Sequence, residues 1–138
     1  MTTYEFHHSE ETTATPQAIW ALWSDITTWT SWDTGLDHAE LNGPFARGSS
    51  GTMRIPDQPP ITFTLTEVTP HKSFTDETHI PGAVLHFHHT LEPLPNGNTR
   101  VTHSVTIEGP KAQEIGPFVT SDLPEAVEAL VKLASSTP

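Results

Sequence analysis

Between Ala83 and Gly109 apolar and polar residues alternate along two runs joined by Pro95-Asn96-Gly97. Leu85, Phe87, His89 and Leu91 share one face, and Val101, His103, Val105 and Ile107 share another. This period of two predicts a β-hairpin over Ala83–Leu94 and Thr99–Glu108. Looser alternation over Thr2–Ala14, with Tyr4, Phe6 and His8 on one face, predicts a first strand. Further strands are expected at about Leu36–Leu41, Ser50–Ile55, Ile61–Thr69 and Ser73–Ile80, punctuated by Asn42-Gly43-Pro44, Pro56–Pro60, Thr69-Pro70 and Pro81-Gly82.

The period changes twice. Thr15-Pro16 reads as an N-cap followed by proline at the first helical position. The helix Pro16–Asp25 carries Ile19, Trp20, Leu22 and Trp23 at helical spacing, and a short helix or turn follows through Thr27–Trp32. Near the C-terminus Ile115, Phe118, Val119, Leu123, Ala126, Val127, Leu130 and Leu133 recur every three or four residues. They predict an amphipathic helix from about Gln113 to Ala134. Pro124 should kink it; alternatively the helix breaks near Ser121-Asp122 and Asp122 caps a shorter second one. The final Ser-Ser-Thr-Pro is expected to fray.

The predicted architecture is α+β: one seven-stranded, curved antiparallel sheet wrapped around a long C-terminal helix, with two short helices after the first strand. Residues 1–138 are expected to form a single domain. An antiparallel sheet needs one covered face, and one helix does not fill the width of seven strands. The space left between them is where a small molecule would sit.

Turn chemistry fixes the hairpin register. A two-residue Asn-Gly loop would set an apolar face against a Thr/Ser face, which the period forbids. A three-residue loop with Gly97 in the left-handed position pairs Leu94 with Asn98. His89 then stands opposite His103, Leu91 opposite Val101 and Phe87 opposite Val105. Opposed Cβ atoms lie about 4.5–5.5 Å apart, so two imidazoles should neighbour each other on the inner face.

Composition narrows the partners. Lys and Arg number 6 against 17 Asp and Glu, a formal charge of −11. Such a chain repels nucleic acid and anionic membranes. No run approaches the roughly 20 apolar residues of a membrane span, so no membrane insertion is expected. No secretory signal is visible at the start, and a cytoplasmic location is the default expectation. The absence of cysteine excludes disulfides and thiolate chemistry.

Several strings resemble the START-like helix-grip superfamily (SRPBCC), in its polyketide cyclase/dehydrase branch. They are PQAIWALWSDITTWTSWD, LNGPFARGSSGTM, FTLTEVTPHKSFTDE and HTLEPLPNGNTRVTHSVTIEGP, which together cover nearly the whole chain. The resemblance implies the helix-grip fold, with ligands bound between the sheet and the long helix. The expected lining is Trp29, Trp32, Phe63, Leu65, Phe74, Leu85, Phe87, Val105, Phe118 and Leu123. The family includes cyclases, lipid and sterol carriers and co-chaperones, so fold does not carry activity.

His89 and His103 are the first candidates for chemistry. Either they orient a carbonyl or phenol and move protons, or they are core histidines bonded to each other, to nearby backbone or to water. A metal on these two would need a third ligand from Asp76, the acidic loop or the helix, and neither a metal nor a cofactor is expected. Asp76 is read as a strand-end residue reaching water, with a buried carboxylate near a histidine as the alternative. His79, His86, His88 and Arg54 are read as solvent-facing, and only one of His7 and His8 can face inward. Trp20 and Trp23 are expected to anchor the core; Trp29 and Trp32 either do the same or form the lip of the cavity.

The functional expectation is binding of a small hydrophobic, polyketide-, lipid- or aromatic-like molecule by a monomer or homodimer. The alternatives are a cofactor-independent cyclase, aromatase or dehydratase using His89 and His103, and a co-chaperone-like partner module.

Overall fold

The computed structural model describes residues 3–33, 36–56 and 59–135. The ends of the first-strand expectation at Thr2, of the Pro56–Pro60 turn at residues 57 and 58, and of the frayed tail at 136–138 lie outside them. Strand β1 runs Thr3–Thr12, then α1 Pro16–Ser24, a single 3-10 turn Ile26–Thr28 and the short α2 Trp29–Trp32. Strands β2 His38–Leu41, β3 Ser50–Arg54, β4 Ile61–Thr69, β5 Ser73–Ile80, β6 Ala83–Pro93 and β7 Thr99–Glu108 follow. Helices α3 Ala112–Thr120 and α4 Leu123–Ser135 end the described chain. The strands form one antiparallel sheet ordered β1-β7-β6-β5-β4-β3-β2. The meander from β2 to β7 is closed by β1, which returns to pair with the last strand.

Local chemistry explains the elements. Thr15 accepts a hydrogen bond from the Ala18 amide at 3.1 Å, and Pro16 occupies the first helical position. At the β6–β7 turn the Leu94 amide donates to the Asn98 carbonyl at 2.8 Å. Gly97 takes a φ of +88°, which glycine adopts without steric cost. The resulting register pairs His89 with His103, Leu91 with Val101 and Phe87 with Val105, as the three-residue loop requires.

The C-terminal helical region is broken rather than merely kinked. Residues 121–122 separate α3 from α4, and Ala126 closes the first turn of α4 on the Asp122 carbonyl at 3.0 Å. Pro124 therefore lies in the first turn, where its missing N–H has no partner to lose. The interior proline is Pro117, inside α3. The break also resets which residues face inward. Ala112, Gly116 and Thr120 form the buried face of α3, and Phe118, two residues from each of the latter two, points away at 79% exposure. Phe118 thus leaves the expected ligand lining.

α4 buries Ala126, Val127, Leu130 and Ala134 over one core with Ile19, Trp23, Trp29, Phe63 and Phe74. α3 covers a second core of Ala83, Leu85, Val105, Ile107 and Ala112. Burying each large apolar side chain contributes about 1.5–3 kcal/mol. No helix among the described residues is long and apolar enough to cross a membrane.

Candidate functional site

The inner face of the sheet carries a row of rings. Cross-strand pairing sets His8 of β1 opposite His103 of β7, His103 opposite His89 of β6, and His89 opposite Phe74 of β5. The His89 and His103 ring centroids are 4.7 Å apart and nearly perpendicular. His89 lies flat on Phe74 at 3.8 Å. Its Nδ1–H donates to the Phe74 carbonyl at 3.2 Å; the carbonyl can only accept, which fixes this tautomer. Trp23 and Trp32 each approach His103 at 5.7 Å. His8 is the member of this row that sequence reasoning missed, because it is placed beside His103 only by closure of β1 onto β7.

Burial governs the electrostatics. It pushes the His89 imidazole well below its ordinary range, with the neighbouring His103 adding to the effect. Burial likewise pushes His103 down to about 3, reinforced by the proximity of His8. Both are neutral at pH 7. Asp76 does not reach water as expected of a strand end; it is 3% exposed, paired in register with Leu65 and Phe87. The physical reason is the parity of β5, which turns Phe74, Asp76 and Thr78 to the covered side. Burial, and secondarily the charge of Asp33, raises its pKa to about 8, so the carboxyl is mostly protonated at neutral pH. Neither His89 nor His103 forms an ion pair with it.

Among the described residues, four buried polar atoms on this side have no hydrogen-bond partner: Trp23 Nε1, Trp32 Nε1, Thr78 Oγ1 and His103 Nε2. Each orphan costs about 1–3 kcal/mol, which makes their gathering in one interior informative. Only Trp29 among the buried indoles near them is satisfied, donating to the Trp23 carbonyl at 2.9 Å.

Of the expected lining, Trp29, Trp32, Phe63, Leu65, Phe74, Leu85 and Val105 are buried, while Phe87 and Leu123 are half-buried. Trp29 and Trp32 are not a lip. Trp29 stacks on Phe63 at 5.5 Å and Phe74 at 6.1 Å, so aromatic rings occupy the space where an open cavity was expected. Two surface clefts lie elsewhere, one beside Asp37, His38, Met53 and Arg54, the other on the outer face over Phe6 and Val105. Arg54 and His79 are exposed, as expected, and His86 and His88 are half-buried on the outer face. There His86 meets Glu77 and Glu108, each at 3.3 Å. At the margin of the inner face His8, Glu10 and Glu128 bring one nitrogen and two carboxylate oxygens within 4.8 Å of one another, a donor set of the kind that holds a divalent cation.

Comparison with known proteins agrees with this architecture. The structure is similar to truncated norcoclaurine synthase from Thalictrum flavum, at TM-score 0.77 and 16% identity, covering 99% of this chain and 96% of that one. A second structure of that enzyme, in complex with dopamine and hydroxybenzaldehyde, matches at TM-score 0.75 and 17% identity, over 96% of this chain and 86% of that one. Ara h 8.0201 matches at TM-score 0.77 and 11% identity, over 99% and 100%. No curated protein sequence matches. The family model described as polyketide cyclase / dehydrase and lipid transport matches residues 3–135, and the chain belongs to that family.

Proposed function

We propose that the protein binds a small, largely apolar molecule bearing acceptor oxygens between the sheet and α4. The observation that carries this reading is the set of unpartnered polar groups inside an aromatic core. Trp23 and Trp32 offer N–H groups, which only donate; Thr78 offers a hydroxyl; protonated Asp76 offers an O–H. A carbonyl or ether oxygen satisfies such groups, and apolar ligand surface replaces the ring contacts around them. Norcoclaurine synthase, which shares the fold, has been captured with two aromatic molecules, which supports an aromatic or polycyclic ligand. Because Trp29, Phe63 and Phe74 fill the interior, entry of a ligand moves at least one ring and alters tryptophan fluorescence.

A second reading rests on the same groups. A neutral imidazole at His89 or His103 and a protonated carboxyl at Asp76 form a base and an acid in one dry interior, the pairing that promotes enolisation, ring closure or loss of water from a carbonyl compound.

Native mass spectrometry after exposure to an apolar metabolite extract tests both. Binding predicts an organic adduct released with unchanged mass. Catalysis predicts a product that is isomeric or lighter by one water, lost in Asp76→Asn. A protein that takes up nothing from such extracts contradicts both readings.

A further inference from the structure

The cluster at the edge of the inner face has a separate chemistry. His8 and Glu10 sit two residues apart on β1, so the period of the strand turns both to the covered side, where both are half-buried. Glu128 reaches them from α4, which packs its Ala126, Val127, Leu130 and Ala134 face into the core. His8 Nε2 is 2.5 Å from Glu10 Oε2. Among the described residues no lysine or arginine ion pair with Glu10 or Glu128 is seen; the arginine ion pair there is Arg100 with Glu92. Two carboxylates are therefore drawn together with only an imidazole between them, in a chain already at −11. A divalent cation would offset the repulsion between two like charges this close. Beside them His103, 5% exposed, faces His8 in register and has an Nε2 without a partner.

We propose that His8, Glu10 and Glu128 bind a divalent transition metal, with zinc the best match, and so clamp α4 to the edge strand β1. One imidazole nitrogen and two carboxylate oxygens suit zinc and its neighbours, whereas calcium and magnesium take oxygen-only sets. The ion's two charges cancel those of the carboxylates. Three protein ligands leave a position for water, and that water is the partner the His103 nitrogen lacks. The ligands are 120 residues apart in sequence between Glu128 and His8, so the ion joins the two ends of the fold. The site is distinct from the outer-face His86, which lies between Glu77 and Glu108.

The test uses the full chain freed of metal by chelation and titrated with zinc, then with cobalt(II) as a spectroscopic probe. The proposal predicts one tight site, a rise in melting temperature with zinc, and a cobalt d–d absorption band. His8→Ala, Glu10→Gln and Glu128→Gln each weaken binding at least tenfold and abolish the thermal shift, while His86→Ala leaves both unchanged. Glu128 is exposed, so its variant reports binding without disturbing the core, and circular dichroism checks that each variant folds. Unchanged affinity in Glu128→Gln and His8→Ala, or loss of binding in His86→Ala instead, overturns the assignment. So does failure of the wild-type protein to bind zinc; the cluster is then only the His8–Glu10 contact with Glu128 nearby.

Discussion

Replacing Asp76 with asparagine should remove a loss of stability that grows as pH rises. In the folded state the carboxyl is held near pKa 8, against an ordinary value of 3.8. Its folded value is raised, so the folded state keeps a proton that the unfolded state has released. The contribution is intact below pH 3.8 and is lost as pH rises towards 8. Each pH unit in that window removes about 1.4 kcal/mol, up to roughly 6 kcal/mol across it. Total stabilities of domains are about 5–15 kcal/mol, so the loss is large. Asparagine has the same shape and no titration. Urea unfolding followed by tryptophan fluorescence from pH 4 to 9 measures both proteins. Subtracting one from the other cancels every other titrating group. Asp76→Asn should match the wild type within about 1 kcal/mol at pH 4, gain steadily to pH 8, and hold its advantage above that. A difference that stays flat with pH, or that favours the wild type as pH rises, would refute the burial argument.

Other expectations are simpler. His89 is held well below its ordinary value, so it contributes stability that is present above pH 6.5 and lost on acidification; His89→Phe should lower the urea midpoint less between pH 7 and pH 5 than the wild type does. A methyl at Gly116 would press into the Tyr4 ring, so Gly116→Ala should destabilise by about 1–3 kcal/mol despite alanine's better helix propensity, read as a drop in melting temperature. Phe118 is 79% exposed, and Phe118→Ser should change stability by less than about 0.5 kcal/mol.

The hairpin was fully legible because two local rules agree there: the alternation forbids one register and the Pro-Asn-Gly turn supplies the other. The sheet-and-helix architecture was legible for the same reason, since period and punctuation are local. The row His8–His103–His89 was only partly so. Its hairpin half follows from the turn, but His8 joins it through pairing of the first strand with the last, which no local signal encodes. Asp76 was misplaced because parity tells which face a residue takes, not how deeply that face is covered. Phe118 failed for a related reason. Its spacing fits one long amphipathic helix, and the break at 121–122 lets α3 choose its own face around Ala112, Gly116 and Thr120. The ring packing in that interior was not legible, because the pattern counts strands and helices but not the bulk of Trp23, Trp29 and Trp32 that packs between them. The unpartnered indoles and hydroxyl were beyond sequence altogether, since hydrogen-bond satisfaction is a property of assembled structure.

The most direct test of ligand binding watches the indole N–H signals of Trp23 and Trp32 by two-dimensional NMR. A panel of apolar aromatic ketones would be titrated, each beside its parent hydrocarbon of the same shape. The account predicts saturable shifts of these two signals with ketones, and affinity about tenfold higher than for the hydrocarbon, the worth of one hydrogen bond. Trp32→Phe should reduce that preference, and the double change Trp23→Phe with Trp32→Phe should reduce it further. Ketones and hydrocarbons that bind alike, or that leave both indole signals unmoved, would contradict it.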